Sequence, residues 1–486
     1  MPQAPTQPDP LATDPSPGDI TLGPTGRRIL ILMCIGLALV ARHWSLNDGL
    51  WYDEIAAWRD YAARGINVAR TTYFDPANHV LQSMLSAASV DLAGPFVGGE
   101  LAMRLPSLLA SLVAVALIAG LAMAILRRRS AAIFAGVLAA ACPVLALSGT
   151  EARGYAFMIA GAAGASWAWI RWTERPTRRS LVAYAAAVVL GTWAHPVTAC
   201  VAAGHAAVAV FSAIAERRRC PLDGLIPPLL AGVLVVIAYL PILPDMLTVS
   251  RSFGRSAADQ PTVFGPEGAH ALMQLGGAWS LAAVPGGLLA MFGAGLLAAN
   301  PRTRRPFAAT VAGGAILFAA TLAGTWIYAR FSLFLVPAAL LAMAAGLVRL
   351  WSWRPAVAGA ALAIVVGAWC VDLATRSPRQ PLREAADWVR ANGAEAGDVH
   401  VIGIRARVME RYAADLQPTF SLLLGRDLDR ELPTAGGPTF VIELYPTKVD
   451  ASVHDALRGR GYTEAATLDG WIDWTHGDVR IWRRPN

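Results

Sequence analysis

The sequence predicts an all-α polytopic membrane domain of about eleven transmembrane helices, followed by a small C-terminal α/β domain. Three observations carry that reading. Of the 486 residues, 55% are hydrophobic and only 15% charged, a balance unlike that of a water-soluble domain. Apolar stretches of the roughly 17–25 residues needed to cross about 30 Å of hydrocarbon recur along the first three quarters. From residue 376 onward the composition turns to mixed charge and short apolar runs.

Residues 1–26 are rich in Pro, Thr and Asp, lack a periodic apolar pattern, and read as a disordered cytoplasmic leader. The transmembrane domain covers 27–375. Its spans are expected at 29–46, 101–126, 131–148, 154–171, 180–195, 197–214, 224–243, 281–299, 307–328, 331–350 and 356–374. Residues 47–100 form a long first outer loop. Within it, 54–65 reads as an amphipathic helix with Ile55, Trp58, Tyr61 and Ala62 on one face. A more apolar helix is expected over 79–92, and both lie along the membrane surface. A second outer loop covers 244–280. In 376–486, a helix from Pro381 to Arg390, a strand over Val399–Ile404, a helix around 405–415, a strand at 439–444 and a helix at 449–459 alternate. That alternation suits an extracytoplasmic α/β domain of roughly 110 residues, an ordinary size for one core.

The arginines orient the chain. Clusters at Arg27-Arg28, Arg127-Arg128-Arg129, Arg175 with Arg178-Arg179, Arg217-Arg218-Arg219, Arg302 with Arg304-Arg305, and Arg349 with Arg354 all fall on one side of the expected spans. By the positive-inside rule that side is cytoplasmic, which puts the N-terminus inside and 376–486 outside. The net charge of +7 then reflects insertion topology. It is spread over loops, where a nucleic-acid partner would need one basic stripe. Lys448 is the single lysine among 41 basic residues, so an anionic ligand in the membrane domain has only Arg or His to hold it. The five cysteines, four of them in expected spans, suggest neither a disulfide framework nor a metal site.

The spans are nearly empty of charge at their centres, where a transporter usually places its polar groups. His205 is the exception and reads as a hydrogen-bonded packing residue. The other ionisable and polar groups gather at the outer ends: Asp53 and Glu54, Asn78 and His79, Glu100 and Arg104, Glu151 and Arg153, His195, and Tyr328 with Arg330. Acids to take a proton, arginines to hold an anion and aromatics to stack on a ring suit glycosyl transfer from a phosphate-linked donor. Other readings stand beside it. Asp53 suits a helix N-cap and Glu54 a first helical turn; Glu151 and Arg153 suit a local pair; Arg330 suits headgroups. No cofactor is certain from the sequence, and no His/Cys ligand cluster is visible, but the adjacent carboxylates could hold a hydrated Mg²⁺ or Mn²⁺. Asp427-Leu428-Asp429 has the DxD pattern of nucleotide-sugar enzymes but reads as a solvated face. A lipid-linked sugar flippase and a scaffold presenting 376–486 are the competing classes.

Trp51-Tyr52-Asp53-Glu54, Asn78-His79-Val80-Leu81, Gly99 through Pro106, Glu151-Ala152-Arg153-Gly154-Tyr155 and Arg330-Phe331 through Pro337 follow one another on the outer side. This series resembles the polyprenyl-phosphate-dependent GT-C glycosyltransferases, which include protein O-mannosyltransferases, lipid A aminoarabinose transferases and rhizobial galacturonosyltransferases. The resemblance covers roughly 27–350. It implies a polyprenyl-phosphate-linked sugar donor, a lipid, glycan or protein acceptor, and a multi-pass protein of the cytoplasmic membrane. It implies Asp53 as general base in an inverting transfer, with Glu54 as a second acid. Arg153, Arg330 and Arg104 would bind the donor phosphate, and His79, Asn78, Tyr155 and Tyr328 would contact substrate. The chain departs from many relatives at His79-Val80-Leu81, where they carry His-Pro-Pro, and lacks their outer-loop lysine.

Overall fold

The computed structural model describes residues 19–20, 22–215, 222–256, 283–323, 327–421, 437–472 and 475–484. Residues 1–18 and 21 of the leader, the rest of the second outer loop beyond Ser256 and the Asp427–Asp429 pattern lie outside them. The end of the leader is ordered, with Asp19 accepting from Arg129 N and Ser130 N and α1 beginning at Pro24. In chain order the first helices are α1 (Pro24–Leu46), α2 (Tyr52–Asp60), α3 (Ile66–Thr71), α4 (Val80–Val97), α5 (Gly99–Leu126) and α6 (Arg129–Ala141). Next come α7 (Pro143–Thr150), α8 (Tyr155–Glu174), α9 (Arg178–Ala194), α10 (Ala199–Ala215), α11 (Leu222–Tyr239) and α12 (Leu243–Ser256). Helices Ala283–Ala299, Pro301–Leu322, Val336–Trp353 and Pro355–Thr375 complete the membrane part. Each expected span thus falls on a helix or a bent helix pair. Prolines 24, 143, 301 and 355 open helices, where a missing N–H costs no helical bond.

Among the described residues seven helices are long and apolar enough to cross a membrane, or nine if two bent pairs count once each. The protein is a multi-pass membrane protein. α8 and α9 fall outside that count, but their small residues bring the two backbones together, as at small-residue contacts in membranes. A Cβ on Gly161 would sit 2.9 Å from the Cα of Gly191. His205 lies buried in this bundle, its ring stacked on Trp169 and hydrogen-bonded to Tyr184 and Ser166, as expected of a packing residue.

α4 satisfies the length and hydropathy of a span, yet the residues at its two ends are tied to the side that carries the C-terminal region. His79 at its start bonds Gly154 N, and Glu100, three residues past its end, bonds Arg383 and Tyr412 of the C-terminal region. Both ends therefore face the same side. The expected second outer loop begins instead as α12, turned 87° from α11.

The α6–α7 pair bends by 53° at Cys142-Pro143, because Pro143 has no N–H to continue α6. Carbonyls at the break need donors, and Arg42 of α1 supplies them. This fully buried guanidinium donates to Ala140 O at 3.2 Å, Leu145 O at 3.4 Å, Ala38 O at 2.7 Å and Ser111 Oγ at 2.8 Å. The bend ends α7 at Thr150, just ahead of Glu151 and Arg153.

The C-terminal region carries a five-stranded sheet in the order β2–β1–β3–β7–β4, with β1 (Val399–Ile402), β2 (Thr419–Ser421), β3 (Phe440–Leu444), β4 (Thr463–Leu468) and β7 (Val479–Arg483). β1 pairs in parallel with β2 and β3; β7 runs antiparallel to β3 and β4. A small hairpin of β5 (Trp471–Ile472) and β6 (Thr475–His476) stands apart. The expected helix at 405–415 is replaced by short pieces: a 3-10 turn Ala406–Met409, helix Glu410–Ala413 and a 3-10 turn Ala414–Leu416. Arg405, in the left-handed region at φ 57°, sets the chain off from the strand. The sheet has two buried sides: one packs Ile402, Val441, Val453, Leu457 and Trp482 into a cluster within the C-terminal region, and the other is shared with the membrane part. Leu382, Val399, Val401, Phe440, Ile442 and Ile481 share one apolar cluster with Leu50, Trp51, Tyr52, Ile55 and Met103 of the membrane part.

Arg42→Met leaves the acceptors at the α6–α7 break without donors. Thermal unfolding followed by tryptophan fluorescence is expected to show a loss of about 1–3 kcal/mol, the cost of stranding buried acceptors.

Candidate active site

The four residues Trp51 to Glu54 open α2, and the helix itself separates the two acids. Successive residues are about 100° apart around an α-helix, so adjacent carboxylates face different surroundings. Glu54 turns inward. Its Oε1 accepts from Arg104 Nε at 3.0 Å and Ala152 N at 2.7 Å; its Oε2 accepts from Arg104 Nη2 at 2.9 Å and Trp51 N at 3.3 Å. Arg104 also donates to the carbonyls of Leu46, Asp48 and Gly49. Both side chains are almost fully buried. Their bonds go to protein groups, and neither lines the cavity that holds Asp53.

Asp53 turns the other way, into a cavity of about 520 Å³. Its Oδ2 lies 3.4 Å from Arg153 Nη2 and 3.3 Å from Arg330 Nη2. Burial opposes its ionisation, but the guanidiniums of Arg153, Arg330, Arg405 and Arg379 outweigh that and hold its carboxyl below the usual value. Arg330 did not go to headgroups: its guanidinium lies 4.4 Å from the centre of the Tyr328 ring. Glu151 does not pair with Arg153, either. It pairs with Arg379, which stacks on Trp51 and Trp471 at 4.6 and 4.4 Å. Burial pushes the Glu151 carboxyl up to about 7 even so.

The wall opposite Asp53 is built on Gly154. Its N–H donates to His79 Nδ1 at 2.6 Å, and a Cβ there would lie 2.2 Å from Ala194 O and 2.7 Å from that same nitrogen. Burial, then Arg153, His195 and Arg330, hold the His79 imidazole well below its usual value, so the ring is neutral. With Nδ1 accepting, the proton sits on Nε2. That N–H faces Arg153 Nη2 at 3.1 Å. Two donors therefore converge where an acceptor belongs. His195, whose ring is pushed down to about 3 by burial with Arg153 and Arg330, packs edge-on to His79 at 4.9 Å. Tyr155 stands 5.1 Å from His79.

The cavity gathers Asp53, Asn78, His79, Arg153, Tyr155, Tyr328 and Arg330 of the sequence-derived set. Asn78 directs its amide to the carbonyls of Ala69 and Thr72, while its Oδ1 is buried without a partner. His195 and Phe331 complete the aromatic wall. Tyr73, Asp75 and Arg405 line it as well, none of which sequence reasoning had assigned. Phe331 could have been read from its place beside Arg330. Arg405 had no such signal, since only the sheet brings it across some 350 residues of chain to Asp53.

A Mg²⁺ or Mn²⁺ shared by Asp53 and Glu54 does not fit this arrangement. Both oxygens of Glu54 are taken by four N–H groups, and Asp53 stands among cations. Among the described residues no group of three or more His, Cys, Asp or Glu is placed to hold a metal.

The whole architecture matches known folds. The crystal structure of ArnT from Cupriavidus metallidurans bound to undecaprenyl phosphate superposes with a TM-score of 0.55 at 12% identity, over 94% of this chain and 98% of that one. The chain has the GT-C fold. The archaeal oligosaccharyltransferase AglB from Archaeoglobus fulgidus, in complex with an inhibitory peptide and a dolichol-phosphate, aligns with a TM-score of 0.52 at 13% identity, over 86% and 69%. The arabinofuranosyltransferase AftD from Mycobacteria aligns at 0.50 and 16% identity, over 96% of this chain but 40% of its own. A family model described as dolichyl-phosphate-mannose-protein mannosyltransferase matches residues 86–244. No characterised protein matches by sequence. AglB has also been crystallised in complex with Zn and sulfate.

Removing Arg104 strands a buried carboxylate. Arg104→Leu is expected to destabilise the protein by about 3–5 kcal/mol, read as a lowered melting temperature.

Proposed function

We propose that this protein is a membrane glycosyltransferase that moves a sugar from a polyprenyl-phosphate carrier to an acceptor at the outer face of the cytoplasmic membrane. The observation that carries the reading is the gathering of Arg153 and Arg330 on Asp53 Oδ2, with His79 Nε2 against the same nitrogen of Arg153. The matched family model and the lipid-phosphate complexes of ArnT and AglB support it.

Charge arithmetic suits a sugar phosphodiester. Asp53 and Asp75 contribute two negative charges to the cavity, and Arg153, Arg330 and Arg405 three positive ones. The surplus of one matches the single charge of the diester. The phosphate takes the place between His79 and Arg153, and the chain follows the apolar rim of Pro196, Val197, Met246, Val249 and Ala323.

Asp53 then acts as base. The acceptor hydroxyl loses its proton to the carboxylate as its oxygen bonds to the anomeric carbon, and the bond from that carbon to the phosphate oxygen breaks on the opposite face, with inversion. The leaving polyprenyl phosphate gains one negative charge as Asp53 loses one. The arginines that held Asp53 are released to the phosphate when its charge grows, the kind of preorganised stabilisation that acts mainly in the transition state. In the resting site those same arginines make Asp53 a weak base. The bound phosphate offsets them and restores its proton affinity. Glu54 and Arg104 hold α2 in place, and Arg405 closes the cavity.

Mass spectrometry of envelope glycolipids and glycoproteins tests the reading in strains carrying wild-type protein, a deletion, or Asp53→Asn at matched expression. One sugar missing from both altered strains is expected. Retention of that sugar with Asp53→Asn in place would sink the base assignment. Arg330→Ala should cost about 10²–10³ in rate, as for other lost oxyanion contacts.

The pH dependence follows from the depressed carboxyl of Asp53. Its charged form persists below the ordinary value of about 3.9, so the resting enzyme is not expected to lose donor-free base charge down to about pH 5. Its contribution to stability is present above that ordinary value and is lost as pH falls through the lower folded value. A melting-temperature series in acid should show the wild type losing more stability there than Asp53→Asn.

A further inference from the structure

Arg405 borders two cavities. One holds Asp53; the other, of about 390 Å³, is lined by Arg59, Arg405, Ala406, Arg407, Phe420 and Ser421. Building on the glycosyltransferase reading, we propose that this second cavity is the acceptor subsite and that it takes an acidic saccharide. The carboxylate or phosphate would lie among the three arginines, a sugar face on Phe420, and a hydroxyl would reach past Arg405 to Asp53.

Placement is the first argument. The cavity lies between the end of α2 and the β1–β2 edge of the C-terminal sheet, so it opens on the exported side, and one side chain separates it from the base. The Asp53 cavity has an apolar rim on its other flank, which suits a lipid-borne donor and leaves the arginine side for the second substrate. Arg405 is fixed at this partition by its ion pair with Asp75 and by the Tyr52 ring at 5.7 Å.

Chemistry is the second argument. Half of the lining residues are arginines, whereas the acids that pair with two of them, Asp60 and Glu410, are not among the lining. The bonds to Asp60 use Nε and Nη2 of Arg59, and the bond to Glu410 uses Nη1 of Arg407. The remaining guanidinium N–H groups are left for an anion, which Arg recognises bidentately. Arg407 lies 5.6 Å over the Phe420 ring, so the aromatic face and the charge belong to one surface. The Arg59 and Arg407 side chains are 45% and 72% exposed, within reach of a large acceptor. The volume is that of a small-ligand site.

Full-length protein in detergent is titrated with a uronic-acid trisaccharide, its neutral methyl ester and a hexose phosphate, for the wild type and for Arg59→Gln/Arg407→Gln. Both side chains are exposed, and an unchanged melting temperature checks the fold of the variant; Arg407→Gln alone is the second variant. At least one acidic ligand is expected to bind about tenfold or more tightly than the ester, as befits a charge-assisted contact, with the preference lost in the double variant. The tighter of the two acidic ligands identifies the anion. Equal binding of acid and ester, no acidic binding, or an undiminished preference in both variants would overturn the proposal. Binding of a polyprenyl phosphate to the wild type is measured in parallel. Its absence would count against the donor reading, while saccharide results bear on the acceptor subsite alone.

Discussion

The buried pair of Glu54 and Arg104 is the constraint on which the site depends. It joins four pieces of chain that are distant in sequence: the end of α1, the start of α2, the first turns of α5 and the loop after α7. A charge pair out of water holds only when its remaining hydrogen-bonding capacity is met. Here backbone carbonyls and N–H groups meet it. Once α2 is fixed in this way, helical geometry leaves Asp53 no choice of direction. Arg153 is set by the same loop, one residue after the Ala152 N–H that Glu54 holds.

The sequence exposed the membrane helices well, because an apolar run long enough to cross a bilayer seldom occurs in a chain that stays in water. It also exposed most of the Asp53 cavity, since ionisable groups at span ends stand out against apolar neighbours. What it hid was direction. Adjacent acids in Asp53-Glu54 look alike on paper, and only packing against α5 turns one into a brace. Arg104 and Arg153 look equally suited to phosphate, yet the first is enclosed by carbonyls and the second faces the cavity. Glu151 was offered a neighbour two residues away and found Arg379 instead. The C-terminal strands were harder still. β4 lies at a sheet edge with only Ala466 and Leu468 half-buried, and its TEAATL run has little apolar signal.

The electrostatics of the site are those of an incomplete set. Cations outnumber anions around Asp53, and His79 presents a donor to another donor. Such mismatches are costly in a buried place and tend to persist where a ligand completes them. Arg153 and Arg330 lower both the Asp53 carboxyl and the imidazoles of His79 and His195, and burial of those rings lowers them further.

The apolar cluster common to Trp51 and the C-terminal sheet bears on the order of biosynthesis. Trp51 leaves the ribosome nearly four hundred residues before Phe440, with which it shares that core. Until the C-terminal strands are made, Trp51 and Tyr52 lack the part of their core that the sheet supplies, and a non-local contact of this kind forms late. The Asp53 cavity therefore lacks Arg405, and α2 its packing against the sheet, until that point. Synthesis of the carboxyl-terminal strands is the step that ends this interval, so a truncated chain would lack one wall of the Asp53 cavity.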